Sequence, residues 1–99
     1  MCAEAYHEPV ELIDEEARNY HRAIVSMIEE LQAVDWYHQR AVATKDDELR
    51  RILEHNRDEE KEHASMLLEW LRRRDEAFSG ELKEYLFTEG DMVQMEEEG

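Results

Sequence analysis

Apolar residues recur at alternating steps of four and three along two long stretches of the chain. In the first stretch the repeating positions are Ile13, Ala17, Tyr20, Ile24, Met27, Leu31 and Val34. In the second stretch a similar spacing gives a seam of apolar residues with three polar ones near its middle: Leu49, Ile52, Leu53, Asn56, Glu60, His63, Leu67 and Trp70. This spacing places these residues on one side of each predicted helix, which can then pack lengthwise against another helix at a shallow angle. The two stretches together predict an all-α protein built on an antiparallel two-helix hairpin.

Turn and capping signals divide the chain into helices of unequal length. The predicted helices run from about Pro9 to about Ala43, from about Lys45 to about Arg74, and, as a short C-terminal helix, onward from Ser79-Gly80. Pro9 suits a first helical turn, where its missing N–H is not needed, and Thr44 is the predicted cap of the second helix. We therefore expect a flexible N-terminal arm (1–8), a helical domain (9–89) and an acidic, mobile tail (90–99).

The chain carries more apolar residues than one helix–helix contact can cover. Outside a single seam lie Val25, Ile28, Trp36, Met66 and Leu68. Two helical rods touch along one line, and a lone hairpin would bury too little surface to offset the entropy of ordering it. The pattern therefore predicts a homo-oligomer, independently of any ligand.

Charge and composition narrow the classes of function. The 99 residues include 27 acidic and 12 basic residues, for a formal net charge of −15. Such a surface repels nucleic acid and anionic lipid and attracts cations, so neither nucleic acid nor membrane is an expected partner. No apolar run is long enough to span a bilayer. Because Cys2 is the only cysteine, a disulfide framework and a cysteine-based zinc site are excluded, and a cytoplasmic setting is favoured.

Two carboxylates and one imidazole interrupt the apolar stripes near the middle of the two long helices. Glu60 and His63 are three residues apart and share a helical face. Glu30 lies on a second stripe of the first helix, formed by Ala23, Met27, Glu30, Val34 and Tyr37. A carboxylate on an apolar stripe must be paired, neutralised or bound to metal. Di-iron carboxylate bundles use two lone Glu residues and two Glu-x-x-His pairs from four helices, twice what one copy of this chain offers. A twofold-related second copy would complete the set, for iron, manganese or zinc.

Other readings of the same residues remain open at this point. Glu-x-x-His also occurs by chance in Glu-rich helices, and Glu30 could be a carboxylate at the edge of a helical face. Glu29, Gln32 and Trp36 form a neighbouring face, which is either a cation-entry site or a strip exposed to solvent. Tyr37 follows Glu30 by two helical turns. Its hydroxyl either lies beside a metal centre and supports it, or simply reaches solvent while the ring packs against apolar neighbours.

Seven runs of the chain match a known pattern. They are HEP (7–9), HRAIVS (21–26), EEL (29–31), AVDWY (33–37), HNRDEEKEH (55–63), LEWLRR (68–73) and YLFTE (85–89). These runs resemble the encapsulated ferritin family, the ferritin-like cargo of encapsulin nanocompartments. The resemblance extends from about His7 to Glu89, and the longer runs are more specific than a bare Glu-x-x-His.

The resemblance implies a fold, an activity and a set of partners. Members of the family dimerise into a ferritin-like four-helix bundle, and the dimers form a ring, typically a decamer. At the matching positions, Glu30, Glu60 and His63 would form a ferroxidase centre between two subunits, with two iron ions per dimer. Tyr37 matches a supporting tyrosine, while Glu29, Gln32 and Trp36 match an entry site for iron or other divalent cations. Fe(II) would be oxidised by O2 inside an encapsulin shell in the cytoplasm, and the shell would store the iron.

Two features of this chain differ from the family pattern. Gln32 stands where the family usually has a glutamate, so weaker cation binding is expected at the entry site. No recognisable shell-docking peptide occurs before Gly99. Two rival functions remain: an acidic helical oligomerisation or cargo module without redox activity, and a manganese- or zinc-binding relative. Oxygen consumption with Fe(II) and metal analysis separate these from a ferroxidase.

Overall fold

A computed structural model describes residues 5–99 of the chain. In that range the secondary structure comprises a short 3₁₀ helix Val10–Leu12, α1 Glu15–Ala43, α2 Asp47–Arg74, α3 Glu76–Tyr85 and α4 Met92–Glu98. No strand occurs among these residues, and α1 and α2 pack along their length, so the predicted all-α hairpin is confirmed. Within the same residues, no helix has the length and apolar character needed to cross a membrane.

An aspartate caps the start of each α-helix. The Asp14 carboxylate accepts from the Ala17 amide at 2.8 Å, and the Asp46 carboxylate accepts from the Leu49 amide at 2.8 Å. The predicted start of the first helix at Pro9 is therefore wrong, because extended backbone at Ile13 separates the 3₁₀ helix from α1. The predicted cap at Thr44 is also wrong: Thr44 ends α1, and its hydroxyl donates to the Arg40 carbonyl oxygen at 2.6 Å.

The C-terminal helices also begin where an aspartate supplies the cap. Asp75 ends α2 and caps α3, accepting from the Phe78 amide at 2.9 Å. The third helix therefore begins at Glu76, and its predicted start after Ser79-Gly80 is wrong, because both residues lie inside it. No helix was predicted in the tail, yet Asp91 accepts from the amides of Val93 and Gln94 and starts α4. Of the predicted arm, residues 1–4 and with them Cys2 lie outside the described range.

Two side-chain contacts accompany the antiparallel register of the long helices. At one end of the hairpin, the Tyr20 hydroxyl donates to the Asp75 carboxylate at 2.8 Å. At the other end, the Arg57 guanidinium lies 3.1 Å from Nδ1 of His38. Between these contacts the centres of α1 and α2 face each other, which brings Glu30 opposite His63.

The chain by itself has almost no core. Among residues 5–99, the buried apolar residues are Ala23, Ala41, Ala64 and Leu71, and of these Leu71 alone is a large side chain with no exposed surface. The accessible surface is 7879 Å², whereas a compact monomer of 11.9 kDa would expose roughly 6,000 Å². The radius of gyration is 17.4 Å, against about 13 Å for a compact chain of this length. The protomer is therefore an elongated hairpin whose apolar faces lack partners.

Candidate metal centre

Glu30, Glu60 and His63 converge on one point between the two long helices. Nδ1 of His63 lies 3.3 Å from Oε2 of Glu60 and 3.5 Å from Oε2 of Glu30. One ligand atom from each residue lies within 4.8 Å of the other two, and residues 5–99 contain no other such group of three His, Cys, Asp or Glu side chains. The structure thus brings together the three residues that the stripes singled out.

The carboxylate of Glu30 carries an unpaired oxygen inside the protein. Its Oε2 atom is buried and accepts no hydrogen bond from any described residue, although the imidazole of His63 is nearby. A buried carboxylate oxygen without a donor costs free energy, and a bound cation removes that cost. Two carboxylates and one imidazole form a donor set that suits iron or manganese and also accommodates zinc. The residues present therefore fit a transition-metal ion.

The cluster is only part of a coordination sphere. Three side chains offer fewer ligands than the four to six that these metals take up. The side chain of His63 is 42% exposed, against 26% for Glu30 and 24% for Glu60, so the cluster opens to the surface of the hairpin. Further ligands would have to come from outside this chain, through the open side next to His63.

A groove of about 510 Å³ adjoins His63 on the same surface of the hairpin. It is lined by Asn19, Arg22, Ala23, Ser26, His63, Met66, Leu67 and Trp70. Apart from His63, we did not predict the polar residues of this lining, although the sequence contains a signal for two of them. Ser26 and Arg22 precede Glu30 by one and two helical turns and therefore share its face. The groove extends the metal cluster into an open, mainly apolar surface.

Tyr37 is not part of the cluster within one chain. It follows Glu30 by two turns, which separates the two residues by about 10.5 Å along the helix axis. Its ring lies under the guanidinium of Arg40, 5.5 Å from the centroid. The role of Tyr37 beside a metal centre stays a prediction that depends on a second copy.

The three residues of the predicted entry site lie on the outer surface of α1. Glu29 and Trp36 are exposed, and Gln32 is half-buried. Glu29 does not belong to the group of Glu30, Glu60 and His63, even though it precedes Glu30 directly. The entry site therefore also stays a prediction.

Comparisons with known proteins agree with the helical fold. A family model described as EncFtn-like matches residues 5–89. An encapsulated ferritin-like protein of Rhodospirillum rubrum is 61% identical over 90 residues, covering 91% of this chain and 64% of that protein. This chain thus spans less than two thirds of that relative. A ferritin-like protein of Thermotoga maritima is 54% identical over 96 residues, covering 97% of this chain and 84% of that protein.

A solved structure has the same fold. The crystal structure of protein NE0167 from Nitrosomonas europaea superposes with a TM-score of 0.86 at 60% sequence identity. The match covers 89% of this chain and 97% of that one. The family model matches residues 5–89, and both curated relatives are more than 50% identical to this chain. These findings confirm the family resemblance of the seven sequence runs. The chain belongs to the EncFtn-like, or encapsulated ferritin, family.

Proposed function

We propose that the protein is a ferroxidase that oxidises Fe(II) to Fe(III) with O2 at a centre built from Glu30, Glu60 and His63. The unpaired buried oxygen of Glu30, 3.5 Å from the imidazole that also lies beside Glu60, carries the proposal. Fe(II) is the substrate here: two Fe(II) ions each give one electron to O2, which takes up two protons and leaves as hydrogen peroxide. The carboxylates hold the ions and balance their rising charge, and Fe(III) then leaves.

The complete centre forms between two copies of the chain. Each copy contributes one lone glutamate and one Glu-x-x-His pair, so two copies supply the ligand set of a di-iron carboxylate bundle. The open side of the cluster and the adjoining apolar groove lie on one continuous surface, which a second hairpin would cover. Four helices then surround two iron ions, and Tyr37 and the entry-site residues gain neighbours that the single chain does not supply.

Assembly continues beyond the dimer into a ring. A second apolar groove, of about 400 Å³, is lined by Met27, Leu31, Val34, Lys61, Ala64, Ser65 and Leu68. These positions flank the contact between α1 and α2 on the side opposite Ala23 and His63. A protomer with two apolar faces can bind two neighbours. Alternating twofold contacts then close into a ring, for which we propose a decamer.

The proposed ring acts as cargo of an encapsulin shell in the cytoplasm, and the shell stores the oxidised iron. The name of the Rhodospirillum relative, encapsulated ferritin-like protein, supports this place of action. A net charge of −15 suits a surface that attracts iron cations. Glu29, Gln32 and Trp36 would receive incoming cations on the outer surface of α1, next to Glu30.

The experiment combines oxygen consumption with iron counting. Anaerobic Fe(II) is added to metal-free protein, and native mass spectrometry is expected to find an even-numbered assembly with about one iron per chain. Glu30→Ala, Glu60→Ala and His63→Ala should each abolish binding at the centre and slow Fe(II)-dependent oxygen consumption strongly. Glu62→Ala is the matched control, because Glu62 is an exposed neighbour outside the cluster. Oxidation at wild-type rates in all three variants would refute the assignment, and exclusive uptake of manganese or zinc would favour a different metal.

A further inference from the structure

A separate groove lies at the other end of α2, away from the metal cluster. The last turns of α2 and the helix α3 enclose about 420 Å³ between Glu69, Arg72, Leu82, Lys83, Leu86 and Phe87. We call this the α2–α3 groove. Its apolar wall consists of Leu82, Leu86 and Phe87, and its rim is formed by charged side chains. None of its lining residues belongs to the group around Glu30, so it serves neither of the contacts proposed above.

Phe87 stands out within this groove. Its side chain has a relative exposure of 103%, which leaves the aromatic ring entirely in water. Its backbone φ is 61°, in the left-handed region that is unfavourable for a bulky L-residue. A strained residue that presents an unburied ring is typical of a binding surface whose partner offsets the cost.

The rim of the groove is positive in a chain that is strongly acidic overall. Arg72, which lines the groove, and Arg73, which lies beside it, share the single carboxylate of Glu69, at 2.6 Å and 2.8 Å. These two guanidinium groups keep the pKa of Glu69 at about 2, and the trio retains one net positive charge. Lys83 adds a second positive charge and makes no ion pair with any described residue. The groove therefore fits a short apolar segment followed by carboxylates.

The helix α4 has that chemistry. It begins with Met92 and Val93, which are 64% and 68% exposed, and it ends in Glu96-Glu97-Glu98. In its own chain, the C-terminal end of α4 lies beside α3, where Gly99 approaches the carboxylate of Glu84. There, burial and the carboxylates of Glu84, Glu96 and Glu81 raise the pKa of the Tyr85 phenol. Like charges therefore face each other, while the exposed apolar pair of α4 remains without cover.

From this mismatch we infer that α4 of one copy docks in the α2–α3 groove of a second copy. Met92 and Val93 would cover the wall around Phe87, and the glutamates would face Lys83 and the arginines. Only four residues, 88–91, separate Phe87 from α4, so the docking helix is a small unit on a short connection. Docking of the apolar face of α4 in a groove of another chain is the helix-in-groove mode of recognition.

Interchain disulfide trapping tests the proposal. Two variants are made in a Cys2→Ser background, Leu82→Cys with one affinity tag and Val93→Cys with another, and they are mixed under mild oxidation. We expect the disulfide between the two differently tagged chains to form at least tenfold more than with Gln94→Cys, the matched control one residue along α4. High salt or Lys83→Glu in the groove chain should reduce the yield severalfold, and Glu97→Lys in the other chain should partly restore it.

An interchain disulfide yield with Val93→Cys that is no higher than with Gln94→Cys would overturn the proposal. So would a chain carrying both cysteines that forms its disulfide only internally, because α4 would then occupy its own groove. The experiment is run with chelator and with metal. Since it reads only a disulfide, its failure leaves the ferroxidase assay unaffected, and failure of that assay leaves the docking of α4 unaffected.

Discussion

Neutralising Glu30 should strengthen self-association of the metal-free protein while abolishing its response to metal. If two copies bring their clusters face to face, the four glutamates of the two centres meet without cations to separate them. The substitution Glu30→Gln keeps the size and polarity of the side chain but removes its charge. It therefore relieves repulsion across the interface and, in the same step, removes a metal ligand.

The size of the effect follows from the spacing of the cluster. Within one chain the ligand atoms lie within 4.8 Å of one another, so carboxylates that meet across the interface at a similar distance of about 5 Å set the scale. One such pair repels by about 3 kcal/mol at an effective dielectric constant of 20 and by about 0.8 kcal/mol in water. Because the glutamates are about one quarter exposed, we expect a gain of about 1–3 kcal/mol, or about 5- to 150-fold in the dissociation constant.

Sedimentation velocity over a range of protein concentrations measures this constant. Wild type, Glu30→Gln and Glu29→Gln are compared in buffer with chelator and again with a divalent metal. Glu29→Gln removes the same charge from the exposed neighbouring residue and controls for net charge. In chelator only Glu30→Gln should associate more tightly, and with metal only wild type and Glu29→Gln should gain further. Equal shifts in both variants, or weaker association of Glu30→Gln without metal, would refute a centre shared between chains.

Three further predictions concern the core, the start of α3 and the entry site. Leu71→Ala should cost about 3 kcal/mol in urea unfolding of the metal-free protein, because Leu71 is wholly buried, whereas Leu12→Ala removes the same atoms from an exposed site and should cost under ~0.5 kcal/mol. Hydrogen bonds from the Phe78 amide and the Tyr20 hydroxyl lower the pKa of Asp75 below its ordinary value of 3.8. The ionised Asp75 carboxylate therefore stabilises the fold above pH 3.8, and this stabilisation is lost as the pH falls through the lowered pKa of the folded state. Tyr20→Phe should raise the NMR titration midpoint of Asp75, and an unchanged midpoint would contradict the contact. Gln32→Glu should raise cation occupancy at the entry site, and equal occupancy in both proteins would count against that site.

Local periodicity was enough to predict the two long helices and the candidate ligands. The steps of four and three define each stripe within one helix, and the i, i+3 relation of Glu60 and His63 follows from helix geometry alone. The excess of apolar residues over one seam likewise predicted unpartnered faces, as Trp36 and Met66 confirm by their exposure. Helix starts were predicted poorly, because Pro9 and Thr44 competed with the stronger capping of Asp14 and Asp46.

What only the tertiary structure decided depends on contacts between residues far apart in the chain. The meeting of Glu30 with His63 requires a register between α1 and α2, which the Tyr20–Asp75 and His38–Arg57 contacts at the two ends accompany. The α2–α3 groove arises from the angle between two helices, and the exposure of Phe87 arises from a turn that no periodic pattern encodes. Helical faces repeat every few residues and can be read locally, whereas the pairing of faces depends on packing of the whole chain.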